Sequence, residues 1–79
     1  KAVLGHSLGA AGALEALVTT LAIAHALAPP TANFLEADPA CDLDYVPNEA
    51  RDLPIEVAIS NSFAFGGLNA VIALRRFHE

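Results

Sequence analysis

Basic and sulfur-containing residues are scarce in this sequence. There is no methionine, one cysteine and only four lysine or arginine residues among 79, and the formal net charge is −5. Lys1, Arg51, Arg75 and Arg76 form no basic patch, whereas nucleic-acid binding needs clustered positive charge. Cys41 cannot form an intramolecular disulfide, which favours a reducing compartment. The sequence therefore predicts a cytoplasmic protein that does not bind nucleic acid.

Charged residues of either sign are also few. They make up 16% of the chain, whereas 54% of its residues are hydrophobic. Typical globular domains have about 25% charged and 45–50% apolar residues, and a smaller domain exposes proportionally more surface. We therefore expect chain outside these 79 residues to cover much of their surface. The absence of an initiator methionine before Lys1 agrees with a portion of a larger domain.

The first long segment is apolar and rich in alanine. Residues 8–28 are predicted to form a helix that Ser7 caps and that Pro29 and Pro30 end. Its large apolar residues spread around the whole cylinder, which indicates a helix buried on all sides. Small residues at positions 9–13 favour close packing of its first turns against a sheet. The run is long enough to span a bilayer, but Glu15 in its middle and the lack of basic or aromatic anchors favour a helix inside a soluble protein.

The remainder divides into a strap and two strands. Residues 29–54 contain all five prolines and six of the nine acidic residues, which predicts an irregular strap across the surface of a larger body. Alternating apolar residues predict one strand over 55–59 and a second over 68–74, with the second buried on both faces. The loop between them, residues 62–67, contains Gly66 and Gly67. The predicted class is therefore α/β.

Two interpretations of the helix start remain open at this point. Gly5-His6-Ser7-Leu8-Gly9 matches the G-x-S-x-G nucleophile elbow of α/β-hydrolases, which suggests a serine esterase or thioesterase with His78 as its base. The pattern is short, however, and a proline-rich strap with a tight two-strand return is not the βαβ succession that such enzymes require.

The second interpretation uses nearly the whole chain. Three blocks occur in the order and spacing of β-ketoacyl-[acyl-carrier-protein] synthases of the synthase II type: Lys1-x-x-x-Gly5-His6 with Gly9 to Glu15, the segments 29–33 and 41–51, and Ser60-Asn61-Ser62-Phe63-Ala64-Phe65-Gly66-Gly67. This resemblance implies the thiolase-like layered αβαβα fold. Residues 1–79 would be the C-terminal portion of its ketosynthase domain, comprising a buried helix, the strap and two strands.

The resemblance also implies a reaction. Such enzymes extend an acyl-enzyme thioester by decarboxylative Claisen condensation with malonyl carrier protein, in fatty-acid or polyketide synthesis, without a metal or cofactor. The implied partners are acyl carrier protein, the remainder of the ketosynthase chain and a second copy in a homodimer. The nucleophilic cysteine and the first active-site histidine would lie outside this chain. Cys41 is not expected to be the nucleophile, because the strap offers it no helix N-terminus or basic neighbour that would favour a thiolate. A non-catalytic ketosynthase-like subunit, the chain-length-factor type, is a further alternative.

The resemblance assigns roles to six residues. His6 matches the second active-site histidine, which donates a hydrogen bond to the malonyl thioester oxygen, and Lys1 matches the active-site lysine. Glu15, a carboxylate on an apolar helix, must be paired or protonated and is expected to support them. Phe65 matches the phenylalanine that gates the acyl pocket and whose backbone N–H helps to form the oxyanion hole. Gly66 and Gly67 would let that loop move. Ala64 stands where the family commonly has glycine, and its methyl is expected to stiffen the gate.

Overall fold

The computed structural model describes residues 1–78. A short 3₁₀ helix, Leu8–Ala10, leads into helix α1, Ala11–His25. Two short strands follow, β1 (Leu27–Ala28) and β2 (Arg51–Asp52), and then two long ones, β3 (Val57–Ala64) and β4 (Leu68–Arg75). The strands pair as two separate antiparallel ladders, β1 with β2 and β3 with β4. The predicted order of helix, strap and two strands is confirmed.

Helix α1 ends earlier than predicted, at His25 and not at the two prolines. Ala26 adopts the left-handed conformation (φ 51°, ψ 48°), a common way for a helix to end, and Leu27–Ala28 then pair with β2. The Ile23 carbonyl in the last turn accepts a hydrogen bond of 3.1 Å from the Arg76 guanidinium and one of 3.4 Å from the Ala26 N–H. The backbone of β2 and the side chain of Arg76 thus end the helix, and Pro29 and Pro30 do not.

Helix α1 packs mainly on β3. The face of β3 that is turned toward it carries small residues, of which Ser60 is buried and Ala58 and Ser62 are half-buried. A methyl group built on Gly12 would lie 3.8 Å from Ser62 Oγ, so helix and strand are in close contact there. Small residues on both elements therefore permit the close approach that the helix sequence predicts.

The outer face of the β3–β4 ribbon is apolar and uncovered. Val57, Ile59, Phe63 and Val71 share this face, and each is more than half exposed. Within residues 1–78, the prediction that β4 is buried on both faces is therefore wrong. A two-stranded ribbon covers one side of a helix and leaves its own opposite face open.

The apolar helix is likewise covered on one side only. Ile23 is its one buried residue, and Leu17 is 53% exposed. The prediction of a helix buried on all sides is not met within residues 1–78, because they supply a single packing partner. By length and hydropathy Leu8–His25 would suffice to cross a membrane, a test that the core helix of a soluble protein also passes.

The strap is irregular, as predicted, and hydrogen bonds join its two halves. Thr31 N–H donates to the Val46 carbonyl and Asn48 N–H to the Thr31 carbonyl, each at 2.9 Å. The Asn48 side chain accepts from Phe34 N–H and donates to the Phe34 carbonyl, at 2.9 and 2.8 Å. Phe34 also stacks on Tyr45 with the ring centres 5.6 Å apart. The strap is therefore a folded loop whose two halves are cross-linked by hydrogen bonds.

Candidate functional site

A cleft of about 660 Å³ lies between the start of the helix and the turn end of the ribbon. It is lined by Lys1, His6, Leu8, Ala11, Gly12, Glu15, Asn61, Ser62, Phe63, Ala64 and Phe65. Four of the six residues singled out in the sequence, Lys1, His6, Glu15 and Phe65, are thus brought together. Gly66 and Gly67 follow Phe65 directly in the turn and are not among the lining residues.

His6 is held by the backbone of the helix start. Its Nδ1 accepts a hydrogen bond of 2.9 Å from the Leu8 N–H. A ring nitrogen that accepts carries no proton, so in this arrangement the imidazole is neutral and its proton lies on Nε2. Nε2–H is then available as a hydrogen-bond donor.

The helix start does not have the geometry of a nucleophile elbow. Residues 2–4 form a turn, whereas the elbow requires a strand before the serine. Leu8 has a positive φ (54°), whereas Ser7, the residue that would be strained in an elbow, does not (φ −95°). Ser7 occupies the N-cap position of the 3₁₀ helix but makes no side-chain capping bond, so the predicted capping by its hydroxyl is wrong. The Leu8 N–H donates to His6.

His78 is equally unsuited to act as the base of a serine hydrolase. Its Nε2 pairs with Glu56 Oε1 beyond the open end of the ribbon. The turn that lines the cleft is at the opposite end of the ribbon. The eight residues of β3 separate the two ends, a distance of about 25 Å. His6 and His78 therefore belong to different ends of the molecule.

Lys1 and Glu15 form an ion pair at one wall of the cleft, with Lys1 Nζ 2.8 Å from Glu15 Oε1. The hydrogen bond and positive charge of Lys1 lower the pKa of Glu15 below its ordinary value. The expectation that the carboxylate on this apolar helix must be paired or protonated is confirmed, because Lys1 pairs it.

The same ion pair separates the cleft from a second one of about 530 Å³. Lys1, Glu15 and Asn61 line both. Asn61 received no role from the sequence, in which it stands between Ser60 and Ser62. An amide side chain can both donate and accept hydrogen bonds.

Phe65 lies at the rim of the cleft, and its side chain is fully exposed (103%). It begins a three-residue turn, Phe65–Gly67, in which both glycines are left-handed. The turn is shorter than the predicted loop over 62–67, because Ser62 to Ala64 continue β3. Ala64 pairs with Leu68 as a strand residue. The predicted obstacle of a left-handed alanine therefore does not arise.

Residues 1–78 contain no group of three or more histidine, cysteine, aspartate or glutamate side chains placed to hold a metal ion. Cys41 is exposed in the strap.

The chain resembles known proteins along its whole length. Residues 1–35 match the family model described as the C-terminal domain of β-ketoacyl synthase. The chain is 54% identical over 79 residues to 3-oxoacyl-[acyl-carrier-protein] synthase 2 of Coxiella burnetii, covering 100% of this chain and 19% of that protein. It thus spans about a fifth of the length of this relative.

Solved structures of ketosynthases share the fold of this chain. The ishigamide ketosynthase/chain length factor superimposes with a TM-score of 0.92 at 49% identity, over 95% of this chain and 19% of that one. A type II polyketide synthase acyl-carrier protein in complex with its ketosynthase bound to the hexaketide gives 0.89 at 40% identity, over 94% and 18%. The thiolase-like α/β fold predicted from the resemblance is confirmed. With its sequence match over all 79 residues and its fold shared with ketosynthases, the chain belongs to the β-ketoacyl synthase family.

Proposed function

We propose that the complete protein is a 3-oxoacyl-[acyl-carrier-protein] synthase, and that residues 1–79 form the C-terminal portion of its ketosynthase domain. A malonyl thioester would lose carbon dioxide, and the electrons of the broken carbon–carbon bond would form an enolate. The enolate carbon would attack the carbonyl of an acyl-cysteine, a new carbon–carbon bond would form, and the cysteine would leave as thiolate. The names of the relatives support this reaction.

The geometry of His6 is the observation that carries the proposal. Negative charge develops on the thioester oxygen as carbon dioxide leaves, and a fixed donor aimed at that oxygen stabilises the transition state. Leu8 N–H occupies Nδ1 and leaves Nε2–H as the donor. Because the ring is oriented by backbone, little reorganisation is needed when the charge appears.

Lys1 and Glu15 are proposed to support this donor. A lysine whose charge is compensated by a carboxylate 2.8 Å away sets a local potential without adding a full free charge to the cleft. Phe65 is proposed as the gate, since its fully exposed ring stands at the rim of the same cleft. Its backbone N–H would help to bind the oxyanion formed during acyl transfer, and Gly66 and Gly67 would permit the turn to move.

The partners follow from the reaction. A neighbouring structure contains an acyl-carrier protein with its ketosynthase, and we propose carrier-bound acyl and malonyl groups as substrates here. The remainder of the ketosynthase chain would cover the exposed helix and supply the nucleophilic cysteine. We further propose a cytoplasmic homodimer. Both a 3-oxoacyl-[acyl-carrier-protein] synthase and a type II polyketide ketosynthase match this chain, so the matches support the reaction without choosing between fatty-acid and polyketide synthesis.

The test is His6→Ala in the complete protein, with the two half-reactions followed separately. Losing a donor aimed at a developing oxyanion should reduce malonyl decarboxylation by about 10²–10³-fold. Acyl transfer to the cysteine, measured with labelled acyl carrier, should be reduced much less. His25→Ala, at the other end of the same helix, is the matched control and should leave both rates unchanged. Decarboxylation at the wild-type rate in His6→Ala would refute the role proposed for His6.

A further inference from the structure

The helix start and the β3–β4 ribbon form opposite walls of the cleft, so the position of α1 along the ribbon decides what faces His6. The two elements touch near both ends of the helix. Gly12 approaches Ser62 near the turn, and the Ile23 carbonyl accepts the 3.1 Å hydrogen bond of the Arg76 guanidinium at the open end of the ribbon. Gly12 and Ile23 are eleven residues apart on the helix, which is about 16 Å along its axis.

The contact near the turn offers little resistance to sliding of the helix. The strand residues turned toward it, Ala58, Ser60 and Ser62, are small, and the helix residue next to Ser62 is a glycine. Small side chains form shallow ridges, which interlock weakly with a neighbouring element. In the part of the chain that the structure describes, the one hydrogen bond between α1 and the ribbon is that of Arg76.

Arg76 is fixed to the ribbon at one end and to the helix at the other. It directly follows β4, and its backbone N–H donates to the Glu56 carbonyl at 2.8 Å. Its guanidinium reaches a carbonyl whose other donor, the Ala26 N–H, is 3.4 Å away. A cation beside a helix C-terminus also interacts favourably with the helix dipole. Because a hydrogen bond is directional, this contact defines where the end of the helix lies.

On the basis of the donor role proposed above for His6, we propose that Arg76 is a positioning residue for that histidine. Through its bond to Ile23, Arg76 sets the position of α1 along the ribbon. The imidazole follows the helix, because the Leu8 N–H holds its ring. A displacement of about 1 Å at a reacting group can reduce a rate by about 10²-fold. Arg76 thus affects decarboxylation from the far end of the helix, without touching substrate.

The test compares Arg76→Met with wild type in the complete protein. Methionine keeps an unbranched stem and removes every hydrogen-bond donor, and Arg76 is exposed, so the change leaves the packing of the ribbon intact. We expect the kcat of malonyl decarboxylation to fall about 10- to 100-fold with an unchanged KM, and acyl transfer to the cysteine to stay within about twofold of wild type. Arg76→Lys, whose ammonium can donate to the same carbonyl, should restore most of the lost rate.

Arg75→Met is the matched control. Arg75 is the neighbouring residue and pairs with Val57 at the end of β4, and within residues 1–78 it makes no hydrogen bond to the helix. Its substitution should leave both half-reactions unchanged. A loss of decarboxylation that is confined to Arg76→Met and recovered in Arg76→Lys supports the proposal. A wild-type rate in Arg76→Met, an equal loss in both half-reactions, or an equal loss in Arg75→Met overturns it.

Crystal structures of the complete variants supply a measurement that does not depend on activity. His6 Nε2 should lie about 0.5–1 Å from its wild-type position, relative to the Cα atoms of β3, in Arg76→Met and not in Arg75→Met. A His6 that stays in place in Arg76→Met overturns the positioning role even if the rate falls. The donor role is tested apart from this by His6→Ala. A wild-type decarboxylation rate in that variant removes both roles, whereas failure of the Arg76 test alone leaves the donor role standing.

Discussion

Produced on their own, these 79 residues are expected not to fold as a soluble monomer. Their exposed surface gives an estimate of the stabilising free energy that is missing. The chain exposes 6344 Å² at a mass of 8.2 kDa. A compact monomer of this mass exposes about 4,500 Å², so roughly 1,800 Å² more remains in contact with water. If about half of it is apolar, the missing burial amounts to some 20 kcal/mol at about 25 cal/mol per Å². That exceeds the ~5–15 kcal/mol by which whole domains are stable.

The measurement is thermal unfolding of the 79-residue chain by circular dichroism, with sedimentation to define its mass. We expect no cooperative transition, and aggregation at micromolar concentration. A variant with polar residues at Val57, Ile59, Phe63 and Val71 should aggregate less but still show no transition. It removes the exposed apolar face of the ribbon but adds no buried hydrophobic core. A cooperative transition of the unmodified chain as a monomer would show that the surface argument is wrong.

Three further predictions concern single residues in the complete protein. Ser7→Ala should leave condensation within about twofold of wild type, since Ser7 makes no capping bond; labelling of Ser7 by a fluorophosphonate would instead favour a hydrolase. Lys1 lowers the pKa of Glu15, so the pair stabilises the fold above the ordinary carboxyl pKa and loses this effect as pH falls through the lowered value. The melting-temperature difference between wild type and Glu15→Gln should therefore be constant near neutral pH and shrink in acid; a difference that grows in acid would contradict the pairing. Asn48→Gly keeps a left-handed residue (φ 60°) but removes two hydrogen bonds to Phe34, and should lower stability by about 1–3 kcal/mol, whereas Asn48→Ala should lower it by about 1–2 kcal/mol more; equal losses in both variants would argue against left-handed strain.

Local pattern in the sequence predicted the elements well where one periodicity dominated. Alternation in 68–74 identified β4, and the alanine-rich run identified α1, because each pattern extends over several turns or rungs. The ends of the helix and strands were less predictable. Arg76, more than fifty residues away in sequence, contacts Ile23, and no local signal reveals such a contact. The internal hydrogen bonds of the strap had no local signal either, since they join Phe34 to Asn48.

The candidate site was predictable through its motif rather than its chemistry. A histidine at a helix start is by itself an ordinary residue, and only the spacing of Lys1, His6 and Glu15 distinguished it. The structure confirms that these three and Phe65 line one cleft; their catalytic roles remain proposals. Physical reasoning placed the helix cap on Ser7, because serine usually has that role. No local pattern shows that the Leu8 N–H lies 2.9 Å from Nδ1 of the His6 imidazole.

The two-residue ladder between β1 and β2 has a consequence for how this part of the protein tolerates change. Leu27 and Ala28 pair with Asp52 and Arg51, and Leu53 N–H donates to the Ala26 carbonyl at 2.8 Å. The β1–β2 ladder therefore holds the two ends of the 29–50 loop side by side. Doubling the length of such a loop adds only about 0.6 kcal/mol of closure entropy. The stretch from 35 to 44 is therefore a natural place for insertions, by evolution or by an engineer fitting a fluorescent reporter, without displacing either the helix or the ribbon.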